Sequence, residues 1–277
     1  MRFRAFQNER EIDCRRIKNN YSRQNICVIF KFFKDKRNIV IFLLVILSGI
    51  KIPAEGNRFI LWMLTGIFFS AGIDFFINRL FLKKTVFPKS AVITGFILSG
   101  ILDYNQSFFL LVVLSSISII SKYILRFKRK HIFNPANLSL FLASFLHYPL
   151  TWTIESNVYI IVIVGLYLAY SLKKLPHIIG FLVVFILLFN LAENMNSFNI
   201  ISWFFVFIML IEPKTSGYGI LRGFIFGVIA GLSSFLVFKF LPDKDFFVFS
   251  LFIANMFNPV FDKMFVRINN SAGIKKL

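Results

Sequence analysis

The sequence is short of charge and nearly devoid of cysteine. Only 16% of its 277 residues are Asp, Glu, Lys or Arg, whereas 57% are hydrophobic and 18% are aromatic. A water-soluble globule of this size could not hide so much apolar surface, which excludes that class. The two cysteines, Cys14 and Cys27, have no CxxC or Cys/His ligand spacing, which argues against a disulfide framework or a zinc site.

Acidic residues are also scarce, with 13 Asp and Glu against 32 Lys and Arg, a formal net charge of +19. The basic residues cluster between apolar runs, which favours contact with anionic lipid headgroups over a nucleic acid. We therefore expect a lipid bilayer as partner and no nucleic acid. No GxSxG, P-loop, GxGxxG or HExxH pattern occurs, so no catalytic residue is predicted and the sequence leaves open whether the protein is an enzyme.

Apolar runs bounded by charges and turn residues predict the fold class: an all-α, polytopic transmembrane bundle of about ten helices. The predicted spans are 39–50, 59–82, 87–102, 107–125, 132–148, 157–172, 176–192, 198–211, 220–241 and 246–262. The runs at 39–50, 87–102 and 198–211 are short of the roughly 20 residues that a crossing needs, so their full crossing stays open. Residues 39–262 form the transmembrane domain, between basic cytoplasmic tails at 1–38 and 263–277.

The distribution of basic residues predicts the orientation. With the amino terminus inside, the inner segments hold 11 Lys and Arg in the tail and 17 elsewhere, which is 28 of the 32. The outer segments keep Lys51, Arg58, Lys239 and Lys244. Because positive residues stay on the cytoplasmic side, an even span count with both termini cytoplasmic is expected, as in a bacterial inner membrane.

Polar residues next to apolar spans are costly, so they indicate candidate sites. Three polar stretches, 130–137, 211–217 and 254–262, all face the cytoplasm in this topology, and we expect them to converge. The predicted binding residues are Asn134, Pro135, Asn137, Glu212, Thr215, Ser216, Asn255 and Asn258. The competing interpretation is that they are helix caps, turn residues and interhelical hydrogen bonds.

Other ionisable residues receive structural interpretations. Asp74 stands five residues before Arg79 near the inner end of its span, where a snorkelling or ion-paired anchor is favoured over a proton relay. His131 adjoins Lys130 and is interpreted as an interfacial residue. His147 and His177 have no carboxylate or cysteine at ligand spacing, so no metal site is predicted.

The polar stretches, in this order, resemble the membrane family that contains the NqrB protein of the sodium-pumping NADH:quinone reductase and the RnfD protein of the Rnf electron-transport complex. The matching stretches are Ser90–Gly95, Ser121–Tyr123 continuing to Phe133–Asn137, Glu212–Ser216, and Ala254–Asp262. The pattern Ser-Lys-Tyr, a basic run and His-x-Phe-Asn-Pro is most similar to stand-alone relatives from enediyne antibiotic gene clusters. The resemblance extends from about the first span to the last.

The resemblance implies two inverted halves of five helices, with a site at their interface. It also implies membrane electron transfer coupled to Na⁺ or H⁺ transport, with other membrane or redox proteins as partners. Members of the electron-transport type attach FMN covalently to the last threonine of a Ser/Thr-Gly-Ala-Thr sequence. This chain has 147–157 in that region and no such tetrapeptide, so we expect a non-covalent flavin (riboflavin or FMN) or a quinone instead.

The residues leave alternatives open. A small-solute or ion transporter or channel without a redox role would also suit ten helices in inverted halves. A third interpretation is a membrane component of a larger complex whose basic tail docks a soluble partner or anionic lipid, although a solvated tail is favoured for that segment. The sequence does not specify the substrate, the coupled ion, the electron donor or the oligomeric state.

Overall fold

Helices dominate the structure, a computed structural model that describes residues 35–81, 83, 86–127, 130–213, 215–216, 219–261 and 263–264. Most of the two predicted tails lies outside these residues. The helices are α1 Lys36–Leu80, α2 Lys89–Ile101, α3 Phe108–Ile124, α4 Pro135–Phe145, α5 Val158–Ser171, α6 Leu175–Ala192, α7 Ser197–Ile200, α8 Ile220–Phe240 and α9 Phe246–Met256. A π-helical turn, Phe205–Met209, lies between α7 and α8. A two-stranded antiparallel hairpin, β1 Arg126–Phe127 and β2 Lys130–His131, joins α3 to α4.

Within the described residues, α1, α6 and α8 are long and apolar enough to cross a membrane by length and composition, and several shorter helices are also apolar. The mostly helical, apolar architecture agrees with the predicted class of membrane protein. The first two predicted spans correspond to two helical segments of α1 that meet at a kink at Gly56, where φ is 75°. Glycine has no Cβ to clash at this positive φ, so the chain changes direction there.

Three predicted spans contain a cap, a break or a turn in the structure. The span at 132–148 begins as a helix only at Pro135, because Asn134 caps α4 with its side chain, and it ends at Phe145. The span at 198–211 is interrupted, since helix α7 stops at Ile200 and helical backbone resumes at Trp203. The span at 246–262 is helical to Met256, turns at Phe257 and is helical again at 258–261, so its predicted extent agrees with the structure apart from the turn. The helices at 132–148 and 198–211 differ from their apolar runs because hydropathy does not register a cap or a break inside such a run.

The two ends of the bundle are tied by different contacts. One end, here called the hairpin end, contains the β1–β2 hairpin and the contact from Lys36 Nζ on α1 to the Tyr167 hydroxyl on α5, at 2.9 Å. The opposite end is held by Trp152, whose indole N–H donates to Asp245 Oδ2 at 2.6 Å, and by a bridge between Leu102 and Leu150. Loops that are distant in sequence therefore meet at each end.

Small residues allow α6 and α8 to pack with their backbones in close contact. A Cβ added at Gly227 would collide with the His177 carbonyl oxygen and lie 2.7 Å from the Phe181 amide nitrogen. Gly223 and Gly231 occupy the same face of α8, one turn on either side. Such small-xxx-small spacing is how membrane helices gain van der Waals contact without a hydrophobic driving force.

Helix α4 is only 11 residues long, about 16 Å at the usual rise, or half of a bilayer core. Helix α9 is interrupted by a turn at Phe257, after which the chain is helical again at 258–261. The two helices run antiparallel, since Lys244, just before α9, donates from Nζ to the carbonyl of Phe145 at the end of α4, at 3.0 Å. The Asn137 side-chain amide in α4 donates to the Val248 carbonyl oxygen in α9, at 3.0 Å. A buried polar contact thus joins a short helix to an interrupted one.

Candidate functional site

The hairpin end contains a compact group of polar side chains from four separate parts of the chain. We call it the Glu212 cluster, and its members are His131, Lys174, His177, Glu212, Thr215, Ser216, Asn255 and Asn258. Seven of the eight are buried, and Glu212 is partly exposed. Because buried polar groups are costly without partners, the hydrogen bonds of each member decide what the cluster can still bind.

Lys174 enters the cluster through a tight turn. Helix α5 ends with Lys173 at φ 56°, and the Lys174 amide bonds back to the Ala169 carbonyl at 2.8 Å. This left-handed end of the helix has the geometry of a Schellman cap and turns Lys174 toward the interior. Lys174 directly precedes helix α6, which has a proline in its first turn. Its ammonium group is fully buried and donates to the Ser216 hydroxyl at 2.9 Å.

His177, one turn further along α6, completes this part of the cluster. Its Nε2 lies 2.7 Å from the Ser216 carbonyl oxygen and 3.5 Å from Lys174 Nζ. The first distance requires that Nε2 carries the proton, since a carbonyl can only accept. Gly223 leaves space for the ring, because a Cβ there would overlap the imidazole. The start of α6 is therefore joined to the loop before α8.

That loop folds around Glu212. The Ser216 amide and hydroxyl both donate to the Glu212 carbonyl, at 3.1 and 2.7 Å, and the Thr215 hydroxyl donates to Glu212 Oε2 at 3.0 Å. Glu212 Oε1 lies 3.8 Å from His131 Nε2 on the hairpin. The Asn258 amide donates to the Thr215 carbonyl, and to Asn255 Oδ1 at 3.2 Å. These contacts bring together the three polar stretches that we expected to converge.

The eight predicted residues have unequal roles in this arrangement. Asn134 Oδ1 accepts from the Asn137 amide at 3.2 Å, so Asn134 is a helix cap with Pro135 behind it. The Thr215 and Ser216 hydroxyls are used within the loop. Within the described part of the chain, the side chains of Asn134 and Asn137 form no hydrogen bond to the Glu212 cluster, and Asn137 bonds to α9 instead. The capping interpretation therefore accounts for part of the predicted set.

Four buried atoms near or in the cluster lack a hydrogen-bond partner among the described residues. They are His131 Nε2, His177 Nδ1, Asn255 Nδ2 and Asn137 Oδ1. An unpaired buried polar atom costs about 1–3 kcal/mol, so a native protein seldom keeps several in one region unless a ligand or water fills them. The four atoms include hydrogen-bond donors and acceptors, so a ligand with both kinds of group could bind them.

Three aromatic rings belong to the same chain segments as three of these atoms. Phe252 of α9 stacks on Phe133 with ring centroids 4.8 Å apart, and on Phe141 with centroids 3.9 Å apart. All three rings are partly exposed. In the sequence, Phe133 follows His131 by two residues, Phe141 follows Asn137 by four and Phe252 precedes Asn255 by three. A stack of parallel rings is a surface onto which a further planar ring can stack.

A second buried polar group connects α1 and α3. Asp74 Oδ1 accepts from Lys122 Nζ at 2.7 Å and from the Tyr123 hydroxyl at 2.6 Å, while Asn78 donates to Asp74 Oδ2 at 3.2 Å. Asp74 is therefore ion-paired, as favoured by the sequence, but with a lysine from another helix. The described residues contain no group of three His, Cys, Asp or Glu side chains that could hold a metal ion.

Sequence reasoning missed Lys174 and His177, and it placed His131 at an interface although the residue is buried. Lys173 and Lys174 were both counted as basic loop residues. The available signal was the position of Lys174, directly before Leu-Pro at a predicted helix start, where a cap residue would point back into the protein.

Comparison with known proteins adds no assignment: the chain gives no significant match to any protein-family model or to any curated protein. The functional interpretation accordingly depends on the residues and the geometry described above.

Proposed function

We propose that this chain is a membrane component of a redox-driven, ion-translocating system of the kind its polar stretches resemble. It binds a flavin or a quinone non-covalently at the Glu212 cluster. The observation that supports the proposal is the set of buried atoms without a hydrogen-bond partner, on segments of the chain that also carry the stacked rings Phe133, Phe141 and Phe252. A ring with carbonyl and N–H edges would satisfy the atoms while its face stacks on the phenyl groups.

The residues present fit such a group. Asn255 Nδ2 is a donor suited to a ring carbonyl, and Asn137 Oδ1 is an acceptor suited to a ring N–H. His131 and His177 each supply a further ring nitrogen. A bound flavin or quinone would supply reversible electron transfer; the protein side chains supply binding, orientation and a buried environment.

The proposal includes ten helices in two inverted halves, with both termini on the cytoplasmic face of a bacterial inner membrane. The antiparallel pair of the short helix α4 and the interrupted helix α9 supports it, because inverted repeats commonly place discontinuous helices at their interface. The basic residues support the orientation, since 28 of 32 would lie on the hairpin side.

The test is to purify the protein in detergent and to measure flavin absorbance, followed by titration with FMN, riboflavin and a short-chain benzoquinone. We expect one of these ligands to bind, and Asn255→Ala to weaken it about tenfold by removing one hydrogen bond. Asn157→Ser is the matched control, because Asn157 caps α5 at the opposite end through its bond to the Ile160 amide. A colourless protein that binds none of the three would refute the redox function.

A second function, transport of a small solute or ion without redox chemistry, is favoured by one observation. The Asn137–Val248 contact puts a polar group between the short helix α4 and the interrupted helix α9, and transporters commonly bind their substrate at such discontinuous helices. Flux through proteoliposomes in the absence of any electron donor would support this function and exclude a strictly redox-driven mechanism.

A further inference from the structure

The loop between α4 and α5 is inserted into the opposite end of the bundle, away from the Glu212 cluster. The Ile154 amide donates to the Gly100 carbonyl near the end of α2, at 2.8 Å. Thr153 and Ile154 are buried, and a Cβ added at Gly100 would lie 2.6 Å from Ile154 Cβ. Residues 147–157, here called the sealing loop, are therefore packed among the helices at this end.

Two non-glycine residues of the sealing loop have a left-handed backbone. His147 has φ 64° and Trp152 has φ 51°. Such conformations are uncommon for residues with a Cβ, and they persist only where surrounding contacts hold them. The contacts here include the Trp152 indole, which donates to Asp245, and the Ser156 hydroxyl, which donates to the Leu47 carbonyl at 2.9 Å. The inserted loop is strained and depends on its hydrogen bonds.

Glu155 is the one acidic residue in the sequence of this loop, and it contacts the helical segment that begins at Trp203. Its Oε2 accepts from the Ser202 hydroxyl and its Oε1 from the Trp203 amide, both at 2.7 Å. Among the described residues, no lysine or arginine forms an ion pair with it. A largely buried carboxylate without a counter-ion is costly, and its neutral form is favoured.

The elements around Glu155 carry charges that are engaged elsewhere. The 203–210 segment and α7 contain no ionisable residue. Lys51 pairs with Glu55 at 3.7 Å, and Asp103 accepts from the Asn105 amide at 3.0 Å. The complete set of ionisable neighbours is Lys51, Glu55 and Arg58 on α1, Asp103 and Tyr104 after α2, His147 and Tyr148 in the loop, Tyr159 on α5, and Asp243, Lys244 and Asp245 before α9.

Glu155 can take up a proton without losing a hydrogen-bond partner. A protonated carboxyl group gains an O–H donor and keeps acceptor positions for backbone amides. The proton on Oε2 can be donated to Ser202 Oγ over the same 2.7 Å, while Oε1 keeps the Trp203 amide. Because both forms satisfy these contacts, burial decides which form the inserted loop favours.

We propose that Glu155 is a proton-binding site whose protonation holds the sealing loop in the bundle. Glu155 is largely buried when the loop is inserted, and water solvates it when the loop is released. The inserted state therefore binds the proton more tightly, and the proton in turn stabilises insertion. One proton is taken up on insertion and one is lost on release, with no covalent or redox step.

The pKa of Glu155 gives the sign of this coupling. Burial raises the pKa above its ordinary value of 4.5, although hydrogen bonds from Ser202, Trp203 and Phe204 oppose the change. Proton binding therefore stabilises insertion fully below about pH 4.5, and this stabilisation is lost as the pH rises through the raised pKa. The inference is independent of the ligand of the Glu212 cluster, which lies at the other end of the bundle.

The experiment measures how fast a cysteine in the sealing loop reacts with a water-soluble maleimide in the purified full chain. Cys14 and Cys27 are replaced by serine, and Thr153→Cys puts a thiol at a buried position of the loop. Because thiol reactivity itself changes with pH, each rate is divided by that of Asn105→Cys, which is exposed at the same end. We expect this ratio to rise several-fold between about pH 5 and about pH 9, as Glu155 ionises and the loop is released.

Glu155→Gln fixes the neutral form, because its amide can donate to Ser202 and its carbonyl can accept from the Trp203 amide. The loop should then stay inserted, and the ratio should no longer change with pH. Ser202→Ala removes a donor that favours the ionised form, so the rise should move to higher pH. Glu193→Gln, which breaks the ion pair with Lys239, is the control and should leave the rise unaltered.

The alternative role for Glu155 is a permanent contact that fastens the loop without binding a proton. A ratio that stays constant with pH while Glu155 is present would establish that alternative and overturn the proposal, with no substitution at Glu155. A rise that Glu155→Gln leaves unaltered also overturns it. If Glu155→Gln does not fold, Ser202→Ala decides: a rise displaced to higher pH supports proton binding, and one that is unmoved or displaced to lower pH refutes it.

Discussion

The close packing of α6 on α8 gives a sharp prediction for Gly227→Ala. The added methyl group would overlap the His177 carbonyl and press on the Phe181 amide nitrogen, at 2.7 Å from it. Both neighbours are backbone atoms, which cannot rotate aside as a side-chain end can. Overpacking of this kind costs about 1–3 kcal/mol, and we expect a net loss of about 2 kcal/mol because the two helices must separate.

Gly72→Ala is the matched control. Gly72 also lies in a helix, but no atom is within 4 Å of the position that its Cβ would take. Replacement of a helical glycine by alanine gains at most about 1 kcal/mol, and less where helices persist in the unfolded state in a micelle. Unfolding in mixed micelles, followed by tryptophan fluorescence, should therefore separate the two variants by about 2 kcal/mol or more.

The substitution at Gly227 should also affect the candidate site, because His177 belongs to both the α6–α8 contact and the Glu212 cluster. Gly227→Ala should weaken flavin or quinone binding as well as stability, whereas Gly72→Ala should leave binding unchanged and should not lower stability. If Gly227→Ala were as stable as the unaltered protein, the close approach of α6 and α8 would be refuted.

Two further predictions concern the helix starts. The hydrogen bond from the Arg37 side chain lowers the pKa of Asp35 from 3.8 to about 2, with a further contribution from Lys89, although burial opposes the change. Because the pKa is lower in the folded protein, the ionised carboxylate stabilises the fold above pH 3.8, and this stabilisation is lost as the pH falls through about 2. Unfolding measured over a pH series should show the loss, and Asp35→Asn should remove this pH dependence. Glu155 accepts from the Ser202 hydroxyl and the Trp203 amide, both at 2.7 Å, so Glu155→Ala should lower the free energy of unfolding by about 1–3 kcal/mol, unlike Glu193→Ala at an exposed ion pair.

Hydropathy and charge placed most of the helices but not their ends or their partners. The hydropathy of the run at 132–148 did not show where its helix begins, although the competing interpretation of Asn134 as a cap did, since a cap depends on one side-chain bond. The run at 39–82 was divided correctly near Gly56, because Pro53 and the charges around it interrupt the apolar pattern. Composition thus predicts where a span lies, and single hydrogen bonds decide where its helix begins.

The candidate site was predictable as a location and not as a set of contacts. Alternating topology put the three polar stretches at one end, and the His131–Glu212 and Asn258–Thr215 contacts join them. The position of Lys174 before Leu-Pro indicated a side chain that points inward, but its hydrogen-bond partner was not predictable, because the direction of the side chain depends on the left-handed turn at Lys173. The sequence indicates how deep in the membrane a residue lies and which end of the bundle it faces. Its hydrogen-bond partner depends on how two helices are rotated about their axes relative to each other.

The same reasoning explains why the Asp74–Lys122 pair was not predicted from the sequence. The residues are 48 positions apart and belong to helices separated by α2. Each could be assigned to the basic side of the membrane, where a lysine can reach the headgroups and needs no partner. In the structure Lys122 is 9% exposed and bonded to Asp74, so it does not act as a headgroup anchor. A buried ion pair is a costly way to fasten two helices unless further hydrogen bonds offset its desolvation, and here the Tyr123 hydroxyl and the Asn78 amide both donate to Asp74.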